Sequence, residues 1–155
     1  MARAAHSWYL RNTYVENNLT KPGKVLLKGV PLDLGQVRLN IYAVGAEKDH
    51  IVPWDAAWRI QQIVAGKTRY VLASSGHIAG IINPPGGKGS YWTNDDKTDT
   101  PDRWREAAHR HEGSWWTEWA ARLATRSGSK RKDPSLGSRL PPPLQDAPGS
   151  YVLVS

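Results

Sequence analysis

The chain has 155 residues, a formal net charge of +7 and no cysteine, which excludes disulfides, thiolate metal sites and a cysteine nucleophile within it. A domain of this length buries about 70% of its unfolded surface, so a hydrophobic core is expected, and no metal site is predicted. No stretch reaches the roughly 18 apolar residues of a membrane span and residues 1–10 lack a signal peptide's apolar run, so we expect no transmembrane segment and a cytoplasmic location.

The first 45 residues predict a helix followed by two strands. Residues 6–19 predict a helix that stops at a Pro-Gly pair, because apolar side chains recur on one helical face: Trp8, Leu10, Tyr14, Val15 and Leu19. Residues 24–30 predict a strand that ends at Pro31. Residues 39–45 predict a second strand, since Ile, Tyr and Val favour an extended backbone.

The next segment predicts half of a parallel α/β sheet. Asp49 comes just after the strand at 39–45, and residues 55–66 predict a helix with Asp55 as N-cap and Gly66 as stop. A further strand begins at residue 68, and His77 follows it after a Ser-Ser-Gly loop. Strand, acid loop, helix, strand and histidine loop in this order are typical of parallel α/β folds.

The remainder of the chain contains a loop-rich stretch, a helical stretch and a basic tail. Residues 78–92 predict loop, and residues 100–124 predict one or two helices with Trp115, Trp116, Trp119 and Leu123 on a face that packs onto the body. From residue 121 onward there are six basic and two acidic side chains among many Pro, Gly and Ser. We therefore predict a folded segment at 1–125 and a tail at 126–155.

Asp49 and His77 are the candidate chemical pair. Functional groups of open α/β sheets collect at the carboxyl ends of strands, and both residues occupy that position. A carboxylate that accepts from one imidazole nitrogen leaves the other nitrogen free to take a proton from a nucleophile. Spacing alone leaves a second interpretation open, in which Asp49 caps a turn or the following helix and His77 is a satisfied loop histidine.

The expected nucleophile is missing. In α/β-hydrolases the nucleophile precedes the acid and the histidine on a G-x-S-x-G elbow, and no such elbow with Ser or Cys occurs here. The chain is also shorter than the roughly 250 residues that this fold needs. These observations predict the C-terminal portion of an α/β-hydrolase fold, with its last parallel strands and flanking helices.

Four stretches then carry a resemblance to a known family: "NTYVENNL" at 12–19, "EKDHIVPW" at 47–54, "SSGHIAGIINPP" at 74–85 and "HEGSWWTEW" at 111–119. They resemble the C-terminal third of class I poly(3-hydroxyalkanoate) synthases, and "PGSYV" at 148–152 is similar to the way these enzymes end. The resemblance implies an α/β-hydrolase core with a Cys-Asp-His triad. It implies an acyltransferase that polymerises (R)-3-hydroxyacyl-CoA into polyester and releases coenzyme A.

The resemblance also implies roles for single residues. Asp49 would be the triad acid and His77 the triad base, while the acid has a possible second role in deprotonating the 3-hydroxyl of the substrate. His50 belongs to the same motif, with either an accessory role at the site or a role in shaping the acid loop. Glu112 departs from the family, which often has a second histidine there, and is a poor catalytic candidate. No cofactor is implied, because the substrate itself is an acyl-CoA.

The match begins after the family's nucleophile elbow, so the chain is expected to be inactive alone. Three origins are open: a truncated gene, a split gene product, or a reading frame begun at an internal methionine. The resemblance implies a homodimer for the full-length enzyme and binding to polyester granules in the cytoplasm. The alternative is a non-catalytic fragment that associates with granules or with a full-length synthase. "GHIAGIINPP" with "GSWW" downstream disfavours a fragment of another esterase or lipase. Tryptophans and basic residues are not interleaved, which disfavours a nucleic-acid-binding module, so no nucleic acid partner is predicted.

Overall fold

A computed structural model of the chain describes residues 2–134 and 144–154. The strands are β1 (Leu26–Leu27), β2 (Val30–Pro31), β3 (Ile41–Ala46), β4 (Thr68–Ala73), β5 (Ser90–Thr93) and β6 (His109–Glu112). The helices are α1 (Arg3–Leu10), α2 (Trp54–Trp58), α3 (Ile60–Ile63), α4 (Pro101–Glu106) and α5 (Trp115–Ala124). A π-helical turn (Arg11–Val15) and three 3-10 turns (Asn18–Thr20, Leu34–Gln36 and Ser150–Leu153) complete the set.

The centre of the fold is a four-stranded mixed sheet in the order β3-β4-β5-β6. β3 and β4 run parallel, in a register that aligns Ile41 with Thr68 and Ala46 with Ala73. β5 and β6 continue the sheet in antiparallel pairings. The predicted α/β class is confirmed, and the parallel pair is the one that the strand, helix, strand order predicts.

Two apolar layers form on opposite faces of the sheet, because side chains alternate along β4. Tyr70 and Leu72 pack on one face and Val71 and Ala73 on the other, all with 0% exposure. The first layer is completed by tryptophans of α2, α4 and β5: Trp58, Trp104 and Trp92. The second is completed by Tyr91 and by Trp115 of α5. Tryptophan therefore supplies the aromatic bulk of a chain that has no phenylalanine.

The prediction was wrong for β5 and β6. The sequence predicts a loop-rich stretch at 78–92 and one or two helices within 100–124; α4 and α5 form there as predicted, but unpredicted strands also form at Ser90–Thr93 and His109–Glu112. β6 has the sequence HRHE, which contains none of the apolar or β-branched residues that mark a strand. Its conformation comes from pairing with β5, a tertiary effect that local pattern does not report.

The N-terminal elements differ in detail from their prediction. The helix predicted at 6–19 forms as α1 and the π-helical turn, but its apolar side chains are exposed. The single strand predicted at 24–30 is a hairpin of β1 and β2. Lys28 and Gly29 form its two-residue loop with positive φ angles of 48° and 79°, as a type I′ turn requires.

The helix predicted at 55–66 is interrupted. α2 ends at Trp58 and α3 begins at Ile60, and Pro53 takes the N-cap position that was predicted for Asp55. Asp55 lies instead in the first turn, where a negative charge favours the positive end of the helix dipole. α3 ends at Ile63, three residues before the predicted stop at Gly66.

The chain divides into two compact units, Met1–Arg122 and Leu123–Ser155. Within the second unit the structure describes the end of α5 and the 3-10 turn Ser150–Leu153, whose side chains are exposed. The division predicted between 125 and 126 stays a prediction. Part of that predicted tail, residues 135–143 with Arg139 and the Pro-Pro-Pro run, lies outside the described residues, as does Ser155.

Residues 2–134 and 144–154 contain neither a membrane-spanning helix nor a metal-binding cluster. None of the helices formed there combines the length and the apolar character that crossing a bilayer requires. In the same ranges no group of three or more His, Asp or Glu side chains is arranged to hold a metal ion.

Candidate active site

The acid loop, residues 47–53, follows β3 and contains Asp49. Its Oδ1 accepts hydrogen bonds from the backbone N–H groups of Ile51 and Val52, each at 2.9 Å. Its Oδ2 lies 2.8 Å from Nδ1 of His77. The Asp49 side chain is only 8% exposed. One oxygen therefore caps the turn, as the capping interpretation expects, while the other contacts the histidine. The catalytic role of the pair stays a prediction.

The histidine loop, residues 74–89, follows β4, so it leaves the sheet at the same end of the parallel strands as the acid loop. Gly80 N donates to Gly76 O at 2.8 Å, which closes a helical turn around His77. The imidazole is 42% exposed, and the structure shows no hydrogen bond at Nε2 to any described residue. His77 thus turns one ring nitrogen toward the carboxylate and leaves the other available.

Electrostatics fix the direction of the hydrogen bond between the two. The backbone N–H of Val52 lowers the pKa of Asp49 most, His77 and the N–H of Ile51 lower it further, and burial opposes them, which leaves a pKa of about 2. Asp49 is therefore ionised at neutral pH and can only accept. It follows that Nδ1 of His77 carries a proton and donates it to Asp49, so that whenever the ring carries a single proton the free lone pair is on Nε2.

The two loops are tied to each other by the backbone. Lys48 N donates to Ser75 O at 2.9 Å, and Glu47 N donates to Ala73 O at 2.8 Å. Ser75 adopts a φ of +86°, a left-handed conformation that non-glycine residues seldom take. These two hydrogen bonds and the conformation of Ser75 set the spacing of the acid and histidine loops. No feature of the sequence predicted them.

An ion pair also connects the acid loop to α4. Arg105 of α4 forms an ion pair with Glu47 at 2.8 Å, and its guanidinium lies 3.9 Å from the ring centroid of Trp92. Both charged side chains are about 30% exposed. The pairing of "EKDH" with an arginine 58 residues later gave no signal in the sequence.

The structure brings neither His50 nor Glu112 into contact with Asp49 and His77. His50 is next to Asp49 in the chain but is exposed, and it has no hydrogen bond or ion pair with any described residue. Glu112 lies on β6, forms an ion pair with Arg110 and is 74% exposed. Only Asp49 and His77 meet, and the geometry leaves the accessory role of His50 as a prediction.

A parallel strand pair with an acid after the first strand and a histidine after the second defines the acid-base half of an α/β-hydrolase. The chain itself contains no cysteine to complete a Cys-Asp-His triad.

Comparison with known proteins identifies the family. The chain is 46% identical over 149 residues to the poly(3-hydroxyalkanoate) polymerase subunit PhaC of Cupriavidus necator, an alignment that covers 95% of this chain and 25% of the relative. It is 45% identical over 139 residues to poly(3-hydroxyalkanoate) polymerase 2 of Ectopseudomonas oleovorans, with 88% and 25% covered. It is 40% identical over 158 residues to PhaC of Rhizobium meliloti, with 99% and 25% covered. No family model matches the chain.

The chain belongs to the poly(3-hydroxyalkanoate) polymerase family, as the sequence motifs predicted. It spans about a quarter of the length of the curated relatives it matches, and it corresponds to their C-terminal part. The finer assignment to class I stays a prediction.

Proposed function

We propose that this chain supplies the acid and the base of a poly(3-hydroxyalkanoate) polymerase, an acyltransferase that joins (R)-3-hydroxyacyl groups from coenzyme A thioesters into polyester. The observation that supports this most is the contact between Asp49 and His77, at 2.8 Å, on loops that follow two parallel strands. The similarity to named polymerases over nearly the whole chain supplies the reaction class.

The proposed chemistry starts at Nε2 of His77. This nitrogen takes the proton from a cysteine thiol in a part of the polymerase that this chain does not cover, and the thiolate attacks the thioester carbonyl. The bond to sulfur of coenzyme A breaks, and the acyl group is then held on the cysteine. The imidazolium returns its proton to the departing coenzyme A thiolate, so charge and protons balance.

Asp49 acts through His77 in this proposal. Three of its roughly four acceptor positions are occupied by Ile51, Val52 and His77. A carboxylate with a pKa of about 2 is also a weak base toward a hydroxyl group. Both facts favour an aspartate that orients and stabilises the protonated ring over one that deprotonates the 3-hydroxyl of the substrate.

The proposal requires no cofactor, because the thioester itself activates the acyl group. Its partners are the acyl-CoA substrate and the growing polyester.

The experiment is a chimera in which this chain replaces the corresponding C-terminal quarter of the Cupriavidus necator polymerase. We expect the chimera to release coenzyme A from (R)-3-hydroxybutyryl-CoA and to form polymer. Asp49→Asn and His77→Gln should each lower the turnover by at least about 100-fold, because they remove the general base or its orientation. His109→Gln, which changes an exposed histidine of β6, is the matched control.

Turnover within twofold of the parent chimera in either site variant, with folding intact by circular dichroism, would refute the assignment. An equal loss in His109→Gln would show that the chimera tolerates no histidine change and would also count against it.

Homodimer formation, a cytoplasmic location and association with polyester granules or a full-length polymerase remain part of the proposal. Dimer formation and association are supported by apolar side chains that lie exposed on the two loops: Ile51, Val52, Ile78 and Ile82. Sedimentation with purified granules tests the association, and a chain that stays in the supernatant at every protein concentration contradicts it.

A further inference from the structure

The start of α5 contacts the histidine loop through three side chains in a row. Nε1 of Trp115 donates to Gly80 O at 3.0 Å, and Nε1 of Trp116 donates to Ile81 O at 2.9 Å. The hydroxyl of Ser114 donates to Asn83 O. The sequence "SWW" therefore binds three carbonyl groups of one loop, which lies more than 30 residues earlier in the chain.

These contacts act on the turn that carries His77. The backbone of Gly80 is held on both sides: its N–H donates to Gly76 O, in the turn that encloses His77, and its carbonyl accepts from Trp115. A Cβ at Gly80 would lie 2.6 Å from Cβ of Ala46, so the loop also sits directly on the end of β3. A shift of the Trp115 indole would consequently move the turn and the imidazole it presents to Asp49.

The donors are rigidly placed. Trp115 is 9% exposed and packs with Val71, Ala73 and Tyr91 of the central sheet. Ser114 is 4% exposed, and its Oγ also accepts from Trp116 N at 3.0 Å, which fixes the first turn of α5. The loop is thus connected by hydrogen bonds to the most buried layer of the molecule.

Burial in the core does not by itself explain why these indole N–H groups are hydrogen-bonded. A buried indole usually finds a hydrogen-bond partner. Yet Trp58 and Trp104, which are at most 2% exposed, have no partner for Nε1 among the described residues. The fold therefore tolerates unpaired indole donors elsewhere, while the donors of "SWW" converge on the histidine loop.

We propose that Ser114, Trp115 and Trp116 are positioning residues that hold His77 in register with Asp49. The inference rests on the proposed function only for the catalytic role of His77, since the geometry to be tested exists in this chain.

The test is the tautomer of His77, read from the ring ¹⁵N chemical shifts of the whole chain at neutral pH. The wild type should hold the proton on Nδ1, toward Asp49. Trp115→Phe and Trp116→Phe keep an aromatic ring and remove one donor, so the ratio of the two tautomers should shift by about fivefold toward Nε2–H, as loss of one neutral hydrogen bond allows. Trp119→Phe is the matched control, because Trp119 lies one turn further on α5 and its ring packs against that of Tyr42, with the ring centroids 4.5 Å apart.

The proposal is overturned if both donor variants keep the wild-type tautomer ratio, or if Trp119→Phe shifts it equally. Should Trp115→Phe unfold, the less buried Trp116 decides the outcome. In the chimeric polymerase the donor variants should lower kcat by about tenfold with KM unchanged. If the donor variants shift the tautomer ratio as expected but the parent chimera has no activity, the positioning role of Ser114, Trp115 and Trp116 stands and the proposed function is rejected. Failure of the positioning role and failure of the proposed function are therefore distinguishable.

Discussion

Asp49 is the residue on which the account depends at the smallest scale. Its two oxygens do different work, since one holds the acid loop in its turn and the other holds the ring of His77. A single carboxylate therefore couples local backbone structure to the proposed chemistry. Substitution at this position should affect stability as well as turnover.

The first prediction concerns the acid dependence of stability. The pKa of Asp49 is about 2 in the folded chain, against 3.8 for an ordinary aspartate, so the folded state binds fewer protons than the unfolded state in this interval. The stabilisation is complete above about pH 4 and is lost as the pH falls toward 2. We expect Asp49→Asn to be less stable than the wild type at neutral pH and the difference to shrink between pH 4 and 2.

Urea unfolding midpoints across this pH interval provide the measurement. Asp102→Asn controls for the loss of one negative charge, because Asp102 is exposed on α4. A difference between Asp49→Asn and wild type that stays constant down to pH 2 would contradict the assigned cause.

The sequence predicted the pair but not what supports it. Asp49 and His77 were found because each follows a strand with a clear apolar pattern, and parallel strands bring such loops to one edge. Ser75, Arg105 and Trp115 were not found as supporting residues. Their contacts join segments that only the tertiary fold brings together, and neither spacing nor composition reports them.

At the scale of elements, β3 and β4 were predictable and β5 and β6 were not. The first two combine β-branched and aromatic residues over six positions. β6 is polar along its whole length and exists because β5 offers it a pairing edge. Local pattern therefore fails for β6, whose strand conformation depends on hydrogen bonding to a neighbour. β5 was missed although its four residues are buried and include Tyr, Trp and Thr.

Gly66 does not have the role that the sequence predicts. It was expected to stop a helix, but α3 has already ended and Gly66 N donates to Val37 O at 2.8 Å. A Cβ built at Gly66 would lie 1.9 Å from Leu39 O, a backbone atom. The glycine is required because two backbone segments approach closely there.

The second prediction follows from this contact. Gly66→Ala should lower the free energy of unfolding by about 1–3 kcal/mol, because the backbone at Leu39 must shift to admit the methyl group. Gly87→Ala is the control, since a Cβ there would come no closer than 3.4 Å to its neighbours. Thermal melts of both variants decide the matter, and a Gly66→Ala midpoint equal to that of wild type would disprove the close approach.

In the whole molecule, the proposed acid-base pair lies beside exposed apolar side chains. Ile51, Ile78 and Ile82 are each more than 60% exposed beside the Asp49 and His77 loops. The relatives are about four times as long as the segment they share with this chain. We therefore expect the chemistry only where the nucleophile is supplied together with this segment.

The first turnover of the chimeric polymerase shows whether His77 takes the proton of the cysteine thiol. Rapid mixing with (R)-3-hydroxybutyryl-CoA should give a burst of coenzyme A in the parent chimera, as the cysteine is acylated, and the burst should disappear in His77→Gln. A burst of normal rate and amplitude in His77→Gln would show that another group takes the thiol proton, and would contradict the account.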